Sequence, residues 1–310
     1  MLFETIKTMK SSQPHFHKFL SLSEFHKMFG LPKPEHPLVS FIRLEDMTLP
    51  EELSDYMVLD FYKIAYKDTI GSAKYGQHHY DFGEGGLVFT APGQLFEKPK
   101  NNKSKGYIIL LHPDFLLSYP LAKKIRQYGF FSYSTDEALQ VSEKEKNTIF
   151  SVFNIINEEL MGRTDDFSQD VIISQIELLL NYSSRYYKRQ FITHKAVNDR
   201  LIEKFEKVLD SYFNNDEELQ NGMPTVQEIA DELNVSTSYL SDMLRSLTGL
   251  NTQQHIHNRF IETAKKILST TNLSVSEIAY HMGFEYPQSF TRLFKSKTNQ
   301  TPLEFRQSFN

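Results

Sequence analysis

Ile229-Ala230-Asp231-Glu232-Leu233-Asn234-Val235 is answered 49 residues later by Ile278-Ala279-Tyr280-His281-Met282-Gly283-Phe284. The segments that follow are also alike: Leu240-Ser241-Asp242-Met243-Leu244-Arg245, and then, 50 residues on, Phe290-Thr291-Arg292-Leu293-Phe294-Lys295. Both copies carry the same punctuation. Thr225-Val226-Gln227-Glu228 and Ser274-Val275-Ser276-Glu277 are capping boxes, in which the hydroxyl covers a free amide at the helix start and the glutamate reaches back. The helices they open are predicted to end at Asn234 and Gly283, the residue types that best tolerate the left-handed conformation of a sharp turn. Ser236 can cap the next helix in the first copy. Pro287 suits the first turn of the next helix in the second, where its missing amide costs nothing. Each copy reads as a helix-turn-helix unit, at about 225–247 and 274–298.

The second helix of each unit has two faces. In the second copy Phe290, Leu293 and Phe294 are expected to face a core, leaving Pro287, Gln288, Thr291, Arg292 and Lys295 on the other side. In the first copy Leu240, Leu244 and Leu247 are expected in the core, with Ser238, Ser241, Asp242 and Arg245 exposed. Such a helix lies in a DNA major groove when the unit reads sequence. Gln288 can pair bidentately with adenine and Arg292 with guanine, while Lys295 suits a phosphate. Asp242 occupies the place of Arg292; a carboxylate repels phosphate but accepts from a cytosine amino group. Any one of these residues taken alone is also what a solvated surface position looks like; the two matching faces are the signal.

Asn251-Thr252-Gln253-Gln254 opens a helix predicted to run through Leu268 between the units, burying Ile256, Phe260, Ala264, Ile267 and Leu268. The chain closes on Thr301-Pro302-Leu303-Glu304-Phe305-Arg306, again cap, proline and glutamate. With Ile229-Ala230, Leu240, Leu244, Arg259 and Ala264, these motifs resemble the AraC/XylS family of transcription regulators over roughly 100 residues. The resemblance implies a seven-helix domain that binds promoter DNA with both recognition helices. It also implies an N-terminal cupin-like barrel followed by helices, which bind a small effector and dimerise. Asp242 stands where the family usually has an arginine, and the usual histidine pattern of the barrel is missing.

The N-terminal half fits that layout on its own pattern. Val39–Ile42, Asp60–Tyr66, Gly86–Thr90 and Gly106–Leu110 are rich in β-branched and aromatic residues, with Gly, Pro, Asn and Asp between them, as in a small antiparallel barrel or sandwich. Gly86-Leu87-Val88-Phe89-Thr90-Ala91-Pro92-Gly93 resembles the Gly-x5-Pro-Gly segment of cupin-like barrels. Metal-binding cupins use a His-x-His pair, whereas His78 and His79 are adjacent and on a strand face opposite ways; no metal and no cofactor are expected. Tyr62, Tyr66, His79, Phe89 and Phe96 are candidates for an effector pocket, and the aromatic stripe among them is equally what a core looks like. From about Pro113 the pattern turns helical. Ser142-Glu143-Lys144-Glu145 is a capping box before Ile149, Val152, Phe153, Ile156 and Leu160, and a second helix is expected from about Ser168 to Lys188. Those helices can cover the sheet or pair with a second subunit.

Net charge is −5 over 310 residues, so a basic face must be local. From Ser236 onward eight Lys and Arg stand against five acids, a surplus of three. Cysteine is absent, which excludes disulfides and thiolate zinc sites. The longest apolar runs are too short to span a membrane, and Met1-Leu2-Phe3-Glu4-Thr5-Ile6-Lys7 lacks the apolar core of a signal peptide. The expected fold is α+β: a cupin-like sensor and dimerisation domain at 1–190 (barrel about 38–112, helices about 113–190), a linker at 191–198, and an AraC-type DNA-binding domain at 199–310. The expected protein is a cytoplasmic, homodimeric transcription regulator and not an enzyme, with promoter DNA, a small effector and RNA polymerase as partners and no membrane. The alternative is an effector-binding or enzymatic cupin whose C-terminal domain mediates protein contacts.

Overall fold

A computed structural model describes residues 16–50, 53–68, 73–75, 78–80, 85–97, 105–162, 165–215 and 219–308. The N-terminal stretch read for a targeting signal lies outside the described residues, as does the side chain of His79. The fold is mixed α+β, and the chain divides into two compact units, Met1–Ala73 with Tyr80–Tyr187 and Lys74–His79 with Lys188–Asn310.

In the first unit the four strands expected from the sequence lie in one five-stranded sheet. They are β2 (Val39–Arg43), β4 (Tyr62–Lys67), β7 (Gly86–Thr90) and β9 (Gly106–Leu111). With β10 (Leu139–Gln140) they follow the order β10-β7-β4-β9-β2, all neighbours antiparallel. A second sheet was not legible: β1 (Phe16–Phe19), β3 (Tyr56–Leu59) and β8 (Leu95–Glu97), in the order β1-β3-β8, with β1 parallel to β3. A third ladder joins β5 (Ala73–Tyr75) to β6 (His78–Tyr80). Among the described residues the ladders do not close into a barrel. The two larger sheets instead pack through one core. Phe19, Met57 and Leu59 from one meet Ile42, Ala65, Ile108 and Leu110 from the other, together with Leu22 and Phe25 of α1 (Leu22–Met28).

The pleat of β4 assigns its side chains. Lys63 and Ala65 point toward the second sheet; Tyr62, Ile64 and Tyr66 point away from it. That outward face is covered by aromatic packing. Phe131 lies 5.0 Å from Tyr62, Phe130 lies 4.4 Å from Phe89, and Phe150 lies 4.8 Å from Tyr66. Phe150 belongs to a helix whose predicted cap is present: Ser142 and Glu145 exchange bonds at its start. After the short α2 (Leu121–Lys124), this helix is α3 (Glu143–Met161), followed by α4 (Ser168–Thr193).

In the second unit α5 (Lys195–Asn214) follows α4 with only His194 between them. Residues 191–198, expected as a linker, are therefore helical on both sides of one break. They contain neither glycine nor proline, so nothing local stops the helix. The buried Asn198 amide donates to the Phe191 carbonyl at 2.6 Å and bridges the break. Then come α6 (Val226–Leu233), α7 (Thr237–Thr248), α8 (Thr252–Thr270), α9 (Val275–His281), α10 (Pro287–Thr298) and α11 (Pro302–Gln307). Ile256, Phe260, Ala264 and Leu268 of α8 are fully buried, so α8 is the spine on which both helical units rest. No helix among the described residues is long and apolar enough to cross a membrane.

Candidate nucleic-acid interface

The repeat survives at atomic detail. Thr225 and Ser274 cap α6 and α9, each accepting from the glutamate amide three residues on while that glutamate accepts from the cap amide. Both turns close with the same long-range bond. Val235 N–H donates to Ala230 at 3.0 Å, and Phe284 N–H donates to Ala279 at 2.9 Å, the six-to-one bond of a Schellman turn. Asn234 (φ 55°) and Gly283 (φ 77°) take the left-handed residue's place. The repeat also extends further than its sequence suggests. Gly249 (φ 81°) and Asn299 (φ 61°) end α7 and α10, again 50 residues apart. The threonine before each, Thr248 or Thr298, donates at 2.8 Å to the carbonyl four residues back. Asn251 and Thr301 then cap α8 and α11.

The two cores are built differently. In the first unit Ile229, Leu233, Leu240, Met243 and Leu244 are buried, with Tyr239 against Phe191 at 5.3 Å. Leu247, expected in the core, is only half-buried; Tyr239 and Met243 take its role. The second unit holds a chain of rings: Phe260 to Phe284 (5.5 Å), Phe284 to Phe290 (5.7 Å), Phe290 to Phe294 (5.9 Å) and Phe294 to Phe305 (5.6 Å). Leu293 is half-buried.

The polar faces differ more. On α10, Gln288, Arg292 and Lys295 are exposed, and Pro287 and Thr291 half-buried. The helix carries Arg292, Lys295 and Lys297 and no acid, and among the described residues none of the three is held in an ion pair. On α7, Arg245 is exposed but bonded to Asp242 at 3.0 Å, one turn away. Ser238 is half-buried. Ser241, expected at the surface, is half-buried, and its hydroxyl meets the fully buried Thr252 hydroxyl at 3.0 Å, where it ties α7 to the start of α8. Two side chains not singled out from the sequence flank the second unit: Tyr280 and Tyr286 are 58% and 59% exposed. Large apolar rings left in water beside a cationic helix were the available signal.

Of the N-terminal pocket candidates Tyr62, Tyr66 and Phe89 share one face of the sheet, Phe96 lies on the other, and the side chain of His79 is outside the described residues. Tyr62, Tyr66 and Phe89 lie under helical aromatics on the outward face, whereas Phe96 packs on the inward side, over Lys63. Phe96 alone leaves the stripe, because alternation puts residues on a face but does not say which faces meet. Among the described residues no three His, Asp or Glu side chains gather as metal ligands.

Residues 229–308 match the model of a family described as a helix-turn-helix domain, the type found in AraC regulators. Over these residues the C-terminal part of the chain is similar to that family. Curated relatives are similar to the chain at low identity. An uncharacterized HTH-type transcriptional regulator of Staphylococcus aureus is 25% identical over 202 residues, 64% of this chain and 25% of its own length. The uncharacterized HTH-type transcriptional regulator YijO of Escherichia coli K12 is 22% identical over 190 residues, 61% of this chain and 56% of its own. Histidine kinase P4 of Formosa agariphila is 22% identical over 143 residues, 46% of this chain and 10% of its own. The chain thus spans from a tenth to about half the length of these relatives.

Proposed function

We propose that this chain is a sequence-specific transcription regulator that reads double-stranded promoter DNA with α7 and α10 in successive major grooves. The observation that carries the reading is the pair of twelve-residue helices, each ended by a left-handed residue, that present polar faces at equivalent positions, one of them with three cations and no acid. Gln288 and Arg292 contact base edges, Lys295 a phosphate, and Pro287 and Thr291 line the approach. Ser238 and Arg245 make the weaker contacts of the first unit, with Asp242 beside them; Ser241 acts by holding α7 on α8. The nineteen residues of α8 span about 28 Å at 1.5 Å each, close to the ~34 Å repeat of B-DNA.

Residues 199–310 are then the DNA-binding part and 1–190 the cupin-like part, which takes a small effector and dimerises through α3 and α4. RNA polymerase is the remaining partner; the protein works in the cytoplasm and catalyses no reaction. A mobility-shift titration of the full chain on promoter fragments over a range of salt tests the core of this reading. Affinity should fall linearly with salt on a log–log plot, and a specific fragment should outcompete bulk DNA. Salt-insensitive binding, or none, defeats it.

A further inference from the structure

Two lysines sit where a sandwich core is normally apolar. Lys63 and Lys67 share with Ala65 the face of β4 that looks toward the second sheet. Register fixes their neighbours. Lys63 lies between Thr90 and Leu110, Ala65 between Val88 and Ile108, and Lys67 between Gly86 and Gly106. Apart from the lysines, Thr90 and the buried Ser40, whose hydroxyl meets the His26 ring at 2.7 Å, this face is apolar, and Val88, Thr90, Ile108 and Leu110 are all buried. The Lys63 ammonium stands 3.7 Å above the ring centroid of Phe96, across the gap between the sheets. Both cross-strand neighbours of Lys67 are glycine, so no side chain stands directly opposite its stem on either adjacent strand.

Neither ammonium has an ion-pair partner among the described residues. Elsewhere in the same unit, Lys18 reaches Asp60 at 3.0 Å and Lys124 reaches Glu177 at 2.6 Å. Two half-buried like charges facing one interior are costly, and a ring face offsets only part of that cost. Burial, and then the neighbouring Lys67, lower the Lys63 ammonium from its usual range to about 7; burial lowers Lys67 as well. Two like charges on one face, with no counter-charge among the described residues, leave a place for one.

We propose that the inward face of β4 is an anion site, in which Lys63 and Lys67 hold the carboxylate or phosphoryl group of a small molecule whose apolar part lies against Phe96, Val88 and Ile108. The proposal rests on the reading that the N-terminal half takes a small effector, and it names the class: an organic anion. It also relocates the site, away from Tyr62, Tyr66 and Phe89 and to the other side of the same sheet.

Calorimetric titration and thermal-shift measurements on the full chain test it, with inorganic phosphate, glucose 6-phosphate and phenylacetate as probes and phenylacetamide as the uncharged control. At least one anion should bind at one per chain and raise the melting temperature, and phenylacetamide should not. Binding by the two phosphates alone assigns a phosphoryl ligand; binding by phenylacetate alone assigns a carboxylate. K63M and K67M should each weaken binding at least tenfold without lowering the melting temperature of the free protein, and K63R should retain binding within a few-fold. K63Q and K67Q replace either methionine variant that fails to fold. No binding by any of the three anions, or equal affinity in the K63M/K67M double variant, overturns the site. Mobility shifts on the same preparations keep the two readings apart: lost anion binding with intact DNA binding removes this site alone, and the reverse removes the regulator alone.

Discussion

The two helix-turn-helix units share the capping box of the first helix, the six-to-one bond of the turn and a twelve-residue second helix, and differ in what these surround. The first turns at Asn234, a residue with a side chain, and its reading helix carries one acid and one base bonded together. The second turns at Gly283, and its reading helix carries three cations and no acid. A duplicated scaffold therefore fixes where a helix lies without fixing what it contacts. Shape is set by caps and apolar spacing, which both copies keep; recognition is set by exposed residues, which are free to diverge.

The sharpest way to break the comparison is at the turns. A Cβ on Gly283 would fall 2.3 Å from the Gly222 nitrogen and 2.4 Å from its Cα, both of them backbone atoms that cannot swing aside. Gly283 is thus required twice, by its positive φ and by the segment packed on it. G283A should cost about 3 kcal/mol or more in chemical denaturation. N234A, which meets only the left-handed penalty, should cost about 1 kcal/mol, and N234G close to nothing. Equal losses at 283 and 234 would mean that the two turns are equivalent after all.

Next come the reading helices. R292A should weaken binding to the preferred DNA site by about 1–3 kcal/mol in a footprinting titration. R245A should cost less than about 1 kcal/mol, because its guanidinium is already shared with Asp242. A larger loss from R245A reverses the ranking of the units. D242N should tighten binding by under about 1 kcal/mol, by removing a carboxylate from the phosphate field and freeing Arg245. Weaker binding by D242N would instead show that the carboxylate accepts from a cytosine.

The C-terminal half was legible because its signals are local. Capping boxes, left-handed turn residues and 3.6-residue spacing sit within a few positions of one another; the boxes and turn residues appear where expected, while Leu247 and Leu293 are half-buried instead of in the core. Ser241 misled because its spacing puts it near the polar side, while its partner, Thr252, lies on another helix. The N-terminal half was legible only as strands. Alternation gave the two faces of β4 correctly but not which face meets the second sheet, since both faces carry apolar residues. That second sheet left no trace because β1, β3 and β8 are three or four residues long, and β1 finds β3 in parallel from far along the chain. Among the described residues the expected barrel does not close, for the same reason: closure is a property of pairing between distant strands, which composition does not encode.

The smallest prediction tests the part of the comparison where the units should be the same. Glu228 and Glu277 each accept from the cap amide at 2.7 Å, and Glu304 repeats the geometry at the start of α11. The Thr225 backbone and then its hydroxyl hold Glu228 below the usual carboxylate range; for Glu277 the Ser274 hydroxyl and then the backbone do so. The folded state thus favours the ionised form. Its contribution is complete above the ordinary glutamate value of about 4.3, and is lost as pH falls through the lowered folded value. Thermal melts of the full chain from about pH 6 down to about pH 3 should show E228Q and E277Q losing equal parts of the acid-dependent decline. Both boxes are open to solvent, so each part is small and shrinks with added salt. If E277Q alone flattens the profile, the units already differ at their first turn, and the divergence does not begin on the reading faces.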